Sequence, residues 1–302
     1  MNQARTFFGA PLVLRPNEIS ADIAFLGVPY GSDDGSSRAP EAVRNALVYY
    51  YADRRGDQPA QGYYDYDLDQ DMLKGVTMVD AGDVPIGKRN LEGNFQLIEA
   101  TVGAIIDRGA FPVVIGGSHA IAAPALRGYG KYQPIDVVHI DGHHDFYRPI
   151  RGNLSAGALR RISEEVPFAQ KLTTIGLRPT VAPHTGRDIY EDMRQRGVRI
   201  ITARKFRELG ADGAVSSIPK SNRNIYVTLD IDVLDPSFVP EVSVPAVGGL
   251  TYLEVSDLLK QLNTRGNIVG IDVVSVTPGG TTGLVAAQLI LDFLSVRFPS
   301  KP

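Results

Sequence analysis

The sequence predicts an α/β fold in which a mainly parallel sheet is covered by helices on both faces. Strand-like apolar segments alternate with helix-like segments along the chain, and the strands are almost continuously apolar, which is typical of a sheet buried on both sides. The length of 302 residues also allows a large core. Because the chain has no internal repeat and no linker, we expect residues 1–302 to form a single domain.

Eight strand candidates follow one another, near residues 22–28, 76–80, 111–115, 135–141, 171–177, 198–202, 224–231 and 267–274. Helix-like segments lie between them, at residues 40–51, 91–108, 120–128, 157–166, 186–196, 251–263 and 282–297. Pro40 suits the first turn of one helix, and Thr251 with Glu254 forms a candidate capping box at another. The polar segment from Tyr51 to Leu73, rich in Tyr and Asp, is predicted to be a surface excursion.

Composition and charge argue against several classes of protein. The net charge of −3 provides no basic footprint for nucleic acid or for an anionic membrane. The absence of Cys excludes a disulfide framework, a thiolate metal site and a Cys nucleophile. No signal-like or membrane-spanning apolar run is found, so we expect a cytoplasmic protein without nucleic-acid or membrane partners.

Side chains of metal-binding type follow the strand near residues 135–141. The apolar run there leads into Asp141, His143 and Asp145. Successive side chains of an extended strand alternate between faces, so these three are predicted to point the same way. Two carboxylates and an imidazole that converge in this manner can surround a cation.

Two further strand ends carry residues of the same kind. Asp230 and Asp232 are spaced i, i+2, and two unpaired acids at the end of a buried strand would repel each other and resist desolvation unless a cation were bound. His119 lies where another strand breaks at Gly116-Gly117. Ligands of parallel sheets bind beyond the carboxyl ends of the strands, where all these candidates lie. Four Asp and two His exceed what one ion needs, and favour two ions that share carboxylates.

Simpler interpretations compete at each position when it is taken alone. A lone Asp at a strand end more often caps a turn than binds a metal, and it is the combination of three strand ends that favours the metal. His139 is predicted to be a hydrogen-bonded core residue, and Asp272 to accept a hydrogen bond within the sheet near the site.

These motifs resemble those of the ureohydrolase family, which comprises arginase, agmatinase and related amidinohydrolases. Residues 116–120 (GGSHA) match the family pattern GG-D-H-S, residues 141–145 (DGHHD) match D-A-H-x-D, and residues 229–236 (LDIDVLDP) match F-D-I-D-x-L-D-P. Weaker matches lie at residues 36–44, 79–83 and 248–251. The motifs occur in the family's order along almost the whole chain, and together they are highly specific.

The resemblance implies a three-layer α/β/α fold around an eight-stranded parallel sheet, and two Mn2+ ions per chain. The implied ligands are His119, Asp141, His143, Asp145, Asp230 and Asp232. Ligand type suits Mn2+ and leaves Fe, Co and Ni open. In the family, the ions activate a bridging water that attacks a carbon such as that of a guanidinium, and Asp145 would be the catalytic residue that passes a proton to the leaving amine. The resemblance also implies a homo-oligomer, commonly a trimer or hexamer.

The chain departs from the family pattern near the expected substrate. Ser275 stands where a Glu normally grips the guanidinium, Ala156 where a His would shuttle protons, and Ser118 where an acid precedes the ligand His. We predict that Glu241, on a loop that differs from the family's T-G-T-P, or an acid on another loop supplies the missing anion. Further candidates for substrate contacts are Tyr147, Arg148 and Ser155. For Arg148 a solvated loop residue is an equally good interpretation.

Three functional hypotheses remain from the sequence. The first is a dinuclear manganese hydrolase acting on a guanidino or amidino compound other than free arginine or agmatine, such as a modified guanidine or an arginine within a peptide. The second is hydrolysis of another C–N bond, in an amide or a formimino compound. The third is a non-catalytic homologue that keeps its metals for structure or regulation. Retention of all six ligand positions argues against the third.

Overall fold

The computed structural model of the protein describes residues 6–31, 35–46, 62–87, 90–147, 157–179, 186–220 and 223–301. The strands of these residues, in chain order, are β1 (Ile23–Val28), β2 (Tyr63–Asp65), β3 (Gln70–Met72), β4 (Met78–Asp83), β5 (Phe111–Gly116), β6 (Ile135–Ile140), β7 (Ala169–Leu177), β8 (Arg199–Thr202), β9 (Asn224–Asp230) and β10 (Asn267–Val274). The helices are α1 (Ala39–Ala46), α2 (Leu91–Asp107), α3 (Ala122–Arg127), α4 (Ala158–Glu165), α5 (Arg187–Gln195), α6 (Ala203–Ser217), α7 (Tyr252–Leu262) and α8 (Thr282–Arg297).

One eight-stranded sheet lies at the centre of the fold, in the order β4-β1-β5-β10-β9-β6-β7-β8. Every neighbouring pair in it is parallel, whereas β2 and β3 form a separate antiparallel hairpin. Parallel strands bring all their carboxyl ends to the same edge of a sheet. The carboxyl ends of β5, β10, β9 and β6, the four central strands, are therefore neighbours, and this edge carries the candidate site.

Apolar side chains form two cores, one on each face of the sheet. In β1, Ile23 and Phe25 belong to the core that also contains residues of α1, α6, α7 and α8, whereas Ala24, Leu26 and Val28 belong to the core on the opposite face, which contains residues of α2, α3, α4 and α5. This division follows from the alternation of side chains along a strand. The predicted α/β/α arrangement with an eight-stranded parallel sheet is confirmed.

Most predicted elements are present within a few residues of their predicted ends. The capping box at α7 is confirmed, since Thr251 Oγ1 accepts from Glu254 N at 3.2 Å and Glu254 Oε2 accepts from Thr251 N at 2.7 Å. The predicted helix at residues 40–51 corresponds to α1, and residues 47–51 of it lie outside the described residues. The described part of the predicted surface excursion, residues 62–73, contains the β2–β3 hairpin.

Two predictions need correction. The sequence argument missed α6, because Gly210 and Gly213 interrupt its apolar pattern, and Gly210 does adopt a non-helical conformation with φ 66°. The strand predicted near residues 76–80 corresponds to β4, which spans Met78–Asp83. Asp80 suggested the end of this strand, but it lies inside β4 with its buried carboxylate paired to Arg44. Tertiary pairing thus allows a charged residue where the local pattern predicted a strand end.

Among the described residues, no helix is long and apolar enough to span a membrane. The predictions of a single domain and of a cytoplasmic location stay predictions.

Candidate metal centre

The segment after β6 brings Asp141, His143 and Asp145 together by a loop and not by strand alternation. β6 ends at Ile140, so the argument that these side chains share one face of an extended strand was wrong. Asp141 Oδ1 accepts a hydrogen bond from His143 N at 2.6 Å, which bends the chain immediately after the strand. Asp145 adopts a positive φ of 45°, and its carbonyl oxygen accepts from Arg160 N of α4 at 3.1 Å. The loop therefore places the three predicted ligand side chains beside the end of β6.

Asp230 and Asp232 likewise lie at a turn, where β9 runs into a short helical turn at Ile231–Val233. Asp230 Oδ1 accepts from Asp232 N at 2.9 Å, as an N-cap does. Asp232 Oδ1 accepts from Gly142 N at 3.3 Å, which joins this turn to the loop after β6. Each carboxylate keeps its second oxygen for another partner.

His119 approaches these acids from the end of β5. Gly117 makes this possible, since a Cβ there would lie 2.8 Å from the carbonyl oxygen of Tyr30. His119 Nδ1 lies 3.1 Å from Asp141 Oδ2, 3.3 Å from Asp145 Oδ2 and 3.3 Å from Asp230 Oδ2. Three strand ends therefore converge on one point, as the residue types predicted.

The ligand-type atoms fall into two groups that share Asp141. The inner group consists of His119, His139, Asp141 and Asp145, and all its members are buried. The outer group consists of Asp141, His143 and Asp232, in which His143 Nδ1 lies 3.0 Å from Asp232 Oδ2 and its side chain is 17% exposed. In each group the atoms lie within 4.8 Å of one another. Two centres that share one carboxylate suit two divalent ions.

The inner group fits a metal ion for a further reason. His119 Nδ1, His139 Nε2 and Asp141 Oδ2 are fully buried, and none of them has a hydrogen-bond partner. His139 Nε2 nevertheless lies only 3.1 Å from Asp141 Oδ2. Buried polar atoms rarely lack partners, and atoms this close but not aligned as donor and acceptor are pointing at a common centre. Nitrogen and carboxylate donors at such a centre suit a divalent ion such as Mn2+.

The electrostatics of the cluster lead to the same conclusion. Burial lowers the pKa of His119, but three surrounding carboxylates outweigh it, so the pKa lies well above its ordinary value. For His143, burial also lowers the pKa, but hydrogen bonds to Asp141 and Asp232 dominate and raise it to about 11. Burial, together with the charges of Asp230 and Asp141, raises the pKa of Asp232 well above its usual range. The cluster therefore attracts positive charge, whether as protons or as metal ions.

A hydrogen-bonded chain beneath the cluster orients His119. Thr228 Oγ1 donates its single proton to Asp272 Oδ1 at 2.8 Å, so its oxygen accepts from His119 Nε2 at 2.8 Å. The hydroxyl of Tyr226 donates to Asp272 Oδ2 at 2.6 Å. With its proton on Nε2, the imidazole presents the lone pair of Nδ1 to the carboxylates, as a metal ligand must. The prediction of an inner-sheet hydrogen bond at Asp272 is confirmed.

A model of the arginase family matches residues 21–295 of the chain. The chain belongs to the arginase family. It is 29% identical over 307 aligned residues to guanidinopropionase of Pseudomonas aeruginosa, covering 95% of this chain and 92% of that protein. It is 30% identical over 311 aligned residues to proclavaminate amidinohydrolase of Streptomyces clavuligerus, with coverage of 97% and 92%. The solved structure of the Streptomyces clavuligerus enzyme superposes with a TM-score of 0.79 at 27% identity, over 98% of this chain and 97% of that one.

The family consists of binuclear metal hydrolases, and this arginase-family protein is a hydrolase acting on guanidino C–N bonds, with His and Asp groups that could hold metal. The predicted resemblance is therefore confirmed. The assignment of individual ligands stays a prediction, although the geometry brings together all six predicted side chains.

The predicted substrate residues of this arginase-family protein are placed less uniformly. Ser275 lies at the cluster, where it adopts a φ of 63° and its Oγ donates to Asp230 Oδ2 at 2.5 Å. Tyr147 is half-buried beside His144, with ring centroids 5.0 Å apart. The carboxylate of Glu241 accepts from the hydroxyl and the backbone N–H of Thr282 at the start of α8. Arg148, Ser155 and Ala156 lie outside the described residues.

Sequence reasoning missed three contributors to the site. His139 is hydrogen-bonded through Nδ1 to Thr174 Oγ1 at 2.9 Å, as predicted, but its Nε2 also faces the inner group. Thr228 was detectable, since it shares the i, i+2 spacing of Asp230 and Asp232. Arg178, which follows the last residue of β7, was detectable as a charge at the carboxyl end of a buried strand.

Proposed function

We propose that this arginase-family protein is a dinuclear manganese hydrolase that cleaves a C–N bond of a guanidino or amidino compound and releases urea or a urea analogue. The observation that carries the proposal is that the buried atoms His119 Nδ1 and His139 Nε2 each lie 3.1 Å from Asp141 Oδ2, and that all three lack hydrogen-bond partners. The proposed ligands are His119, Asp141, His143, Asp145, Asp230 and Asp232. When bound, two such ions supply Lewis-acid activation of water near neutral pH.

Asp145 is the proposed catalytic residue. Its Oδ2 faces His119 at 3.3 Å, and the carboxylate is 11% exposed, so it can contact both the buried ligands and a substrate. We assign to Oδ2 the acceptance of a proton from the attacking water and its transfer to the leaving amine. The loop conformation at Asp145 and its carbonyl bond to Arg160 hold this carboxylate in position.

The proposed substrate carries a guanidino or amidino group but is not free arginine or agmatine. The names guanidinopropionase and proclavaminate amidinohydrolase, carried by two relatives, favour such a group. Ser275 presents a hydroxyl, already engaged by Asp230, where the family pattern has a carboxylate. Without that carboxylate, recognition of a free guanidinium cation loses a charge-assisted hydrogen bond of about 1.5–3 kcal/mol. A modified guanidine, or an arginine within a peptide, depends less on that contact.

The same observation at Ser275 favours a second candidate, hydrolysis of a formimino or amide C–N bond. Such a substrate does not require a guanidinium clamp, and the hydrolytic residues would be unchanged. The two candidates differ in their products, because only a guanidino substrate releases urea or a substituted urea.

The test is a substrate panel with the Mn2+-loaded protein, following urea, ammonia and formamide separately. The panel contains arginine, agmatine, guanidino acids, N-hydroxyguanidines, an arginine peptide, a formimino compound and simple amides. Urea release from a guanidino acid, a modified guanidine or the peptide supports the first candidate, and ammonia or formamide alone supports the second. A protein that binds two ions but is silent on every compound would contradict both, and would favour a non-catalytic role.

We further expect a homo-oligomer, and light scattering of the purified protein measures it.

A further inference from the structure

A buried arginine lies directly beneath the outer group. Arg178 follows Leu177, the last residue of β7, and it is only 3% exposed. Arginine stays protonated inside proteins, so a fixed positive charge lies under the metal-binding loops. The proposed hydrolytic chemistry does not use this residue.

Arg178 contacts the backbone of both loops that carry the outer group. Its own N–H donates to Gly142 O at 3.0 Å, in the loop after β6. Its guanidinium donates through Nη2 to Asp232 O at 2.5 Å and through Nη1 to Val233 O at 2.6 Å, in the turn after β9. One residue thus joins the two segments, because its backbone N–H bonds to the loop that carries Asp141 and His143 and its guanidinium bonds to the turn that carries Asp232.

Two glycines make room for this guanidinium. A Cβ at Gly142 would lie 2.8 Å from Cζ of Arg178 and 3.1 Å from the carbonyl oxygen of Asp232. A Cβ at Gly249 would lie 2.6 Å from Nη1. Gly142 stands where the family pattern D-A-H-x-D has an Ala. In this chain, the side chain of Arg178 therefore occupies space that an Ala methyl group at position 142 would need.

The contacts are directed at carbonyl oxygens, and the carboxylates of the outer group remain available. Asp232 Oδ2 still faces His143 Nδ1 at 3.0 Å, and Asp232 Oδ1 accepts from Gly142 N at 3.3 Å. An arginine paired with the carboxylates themselves would compete with a metal ion. Bonded to the carbonyl oxygens, it fixes the distance between the loops and leaves the ligand atoms free.

We propose that Arg178 is a positioning residue for the outer group, holding the loop after β6 and the turn after β9 at the separation that one of the two metal ions requires. The proposal rests on the proposed dinuclear centre. It predicts a selective effect, because Arg178 touches the outer-group loops and makes no described contact with His119 or Asp145. Loss of the bonds from the Arg178 guanidinium to Asp232 O and Val233 O, here called the clamp, weakens one metal-binding step and spares the other.

The experiment is a calorimetric titration of the metal-free protein with Mn2+, comparing the wild type with Arg178→Lys, Arg178→Met and Gly142→Ala. Residues that orient metal ligands typically contribute 10–100-fold to metal affinity, so we expect one of two binding steps to weaken by about that factor while the other stays within about threefold. Arg178→Lys keeps the charge but cannot bridge two carbonyls, and should restore the weakened step only in part. Gly142→Ala should reproduce the selective loss without changing Arg178.

Arg265→Lys is the matched control, because Arg265 precedes the amino end of β10 and its guanidinium also donates to carbonyl oxygens, those of Ser216 and Ile218. Both of its binding steps should be unchanged. Circular dichroism and thermal unfolding of each metal-free variant separate loss of the clamp from loss of the fold, and Gly142→Ala and Arg178→Lys remain informative if Arg178→Met does not fold.

The outcomes separate this inference from the proposed function. If the wild type binds two ions and both binding steps weaken equally in the variants, Arg178 is a general structural residue. This result would overturn the inference and leave the dinuclear centre in place. Unchanged binding in Arg178→Met would do the same. A wild type that binds no Mn2+ would overturn the dinuclear centre and this inference together.

Discussion

Carboxylates are buried at two places in the molecule, and the positive charge that compensates them comes from different sources. In the edge strand β4, the fully buried Asp80 is paired with Arg44 of α1, with Nε to Oδ2 at 2.8 Å and Nη2 to Oδ1 at 2.9 Å. At the centre of the sheet, Asp141, Asp145, Asp230 and Asp232 form ion pairs with histidines alone among the described residues. The edge carboxylate is paired with a permanent cation, whereas the guanidinium of Arg178 near the central carboxylates bonds to carbonyl oxygens and not to the carboxylates themselves.

A structural acid and a candidate metal ligand differ in whether the folded chain already satisfies the carboxylate. Phe7 N, Gly82 N and Arg44 together satisfy Asp80, so its charge is compensated as soon as the chain folds. The central acids and imidazoles instead leave buried atoms without partners, and they accumulate negative charge that the histidines balance only when protonated. Removing a partner at the edge should therefore cost stability, whereas removing one at the centre should cost metal and activity.

The largest effect is expected for Asp230→Ala. Bound metal ions contribute several kcal/mol of transition-state stabilisation, so we expect activity to fall by about three orders of magnitude or more. Metal content after Mn2+ loading and desalting, measured by mass spectrometry, should fall from near two ions per chain. Asp235→Asn is the control, since Asp235 accepts backbone N–H groups of Ser237, Gly248 and Gly249 outside both groups. Full metal content in Asp230→Ala would show that Asp230 is not needed to hold the metal ions, contrary to the proposed difference between the centre and the edge of the sheet.

At the edge, Arg44→Met should reduce the free energy of unfolding by about 3–5 kcal/mol, because it leaves Asp80 charged and buried without its partner. Urea unfolding of the metal-loaded protein measures this, and the metal content of the folded variant should stay at the wild-type value. The exposed Arg15–Glu18 pair offers the control, since Arg15→Ala should cost less than about 1 kcal/mol. If Arg44→Met lost metal and kept its stability, the two regions would not differ as argued.

The residues of the centre could be predicted from sequence because their chemistry and their position after apolar strands agree. Asp230 ends a strand whose sequence pattern is that of a buried strand, and capping of the following turn by Asp230 does not account for a second acid at Asp232. The α7 capping box was equally accessible, because all its atoms belong to four consecutive residues. The parallel sheet followed from strands such as β5 and β10, which are apolar on both faces.

The features that the sequence did not predict depend on contacts between residues that are far apart in the chain. The end of β4 was missed because Arg44, thirty-six residues away, stabilises Asp80 inside the strand. The positive φ at Asp145 follows from how the loop closes over β6, which strand alternation does not contain. Arg178 was detectable as a charge after a buried strand, but its partners were not, because carbonyl oxygens have no signature in a sequence.

Ser275→Glu adds a carboxylate to the central cluster, whose acids are not themselves paired with an Arg or Lys among the described residues. A carboxylate there should bind a cationic guanidinium through a charge-assisted bond, which corresponds to about a 10–100-fold gain in kcat/KM for arginine or agmatine. Steady-state kinetics on the same substrate panel measure it. Ser275→Gln has the same shape without the charge and should show no such gain. An equal gain in both variants would mean that size, and not charge, limits these substrates.

The smallest effect is expected for Glu254, whose only ion pair among the described residues is a long, partly exposed one with Arg207 Nε at 3.6 Å, and such surface pairs contribute little to stability. Glu254 is partly exposed, and its Oε2 accepts from Thr251 N at 2.7 Å in the capping box of α7. Because a Gln can make the same bond, Glu254→Gln should change the free energy of unfolding by less than about 0.5 kcal/mol and leave metal content unaltered. Thr251→Ala, which removes the side-chain acceptor for Glu254 N, should cost about 1 kcal/mol in the same thermal or urea unfolding measurement. A larger loss in Glu254→Gln than in Thr251→Ala would show that the charge itself is needed at this helix start, and carboxylates would then depend on a cation even where backbone N–H groups and solvent satisfy them.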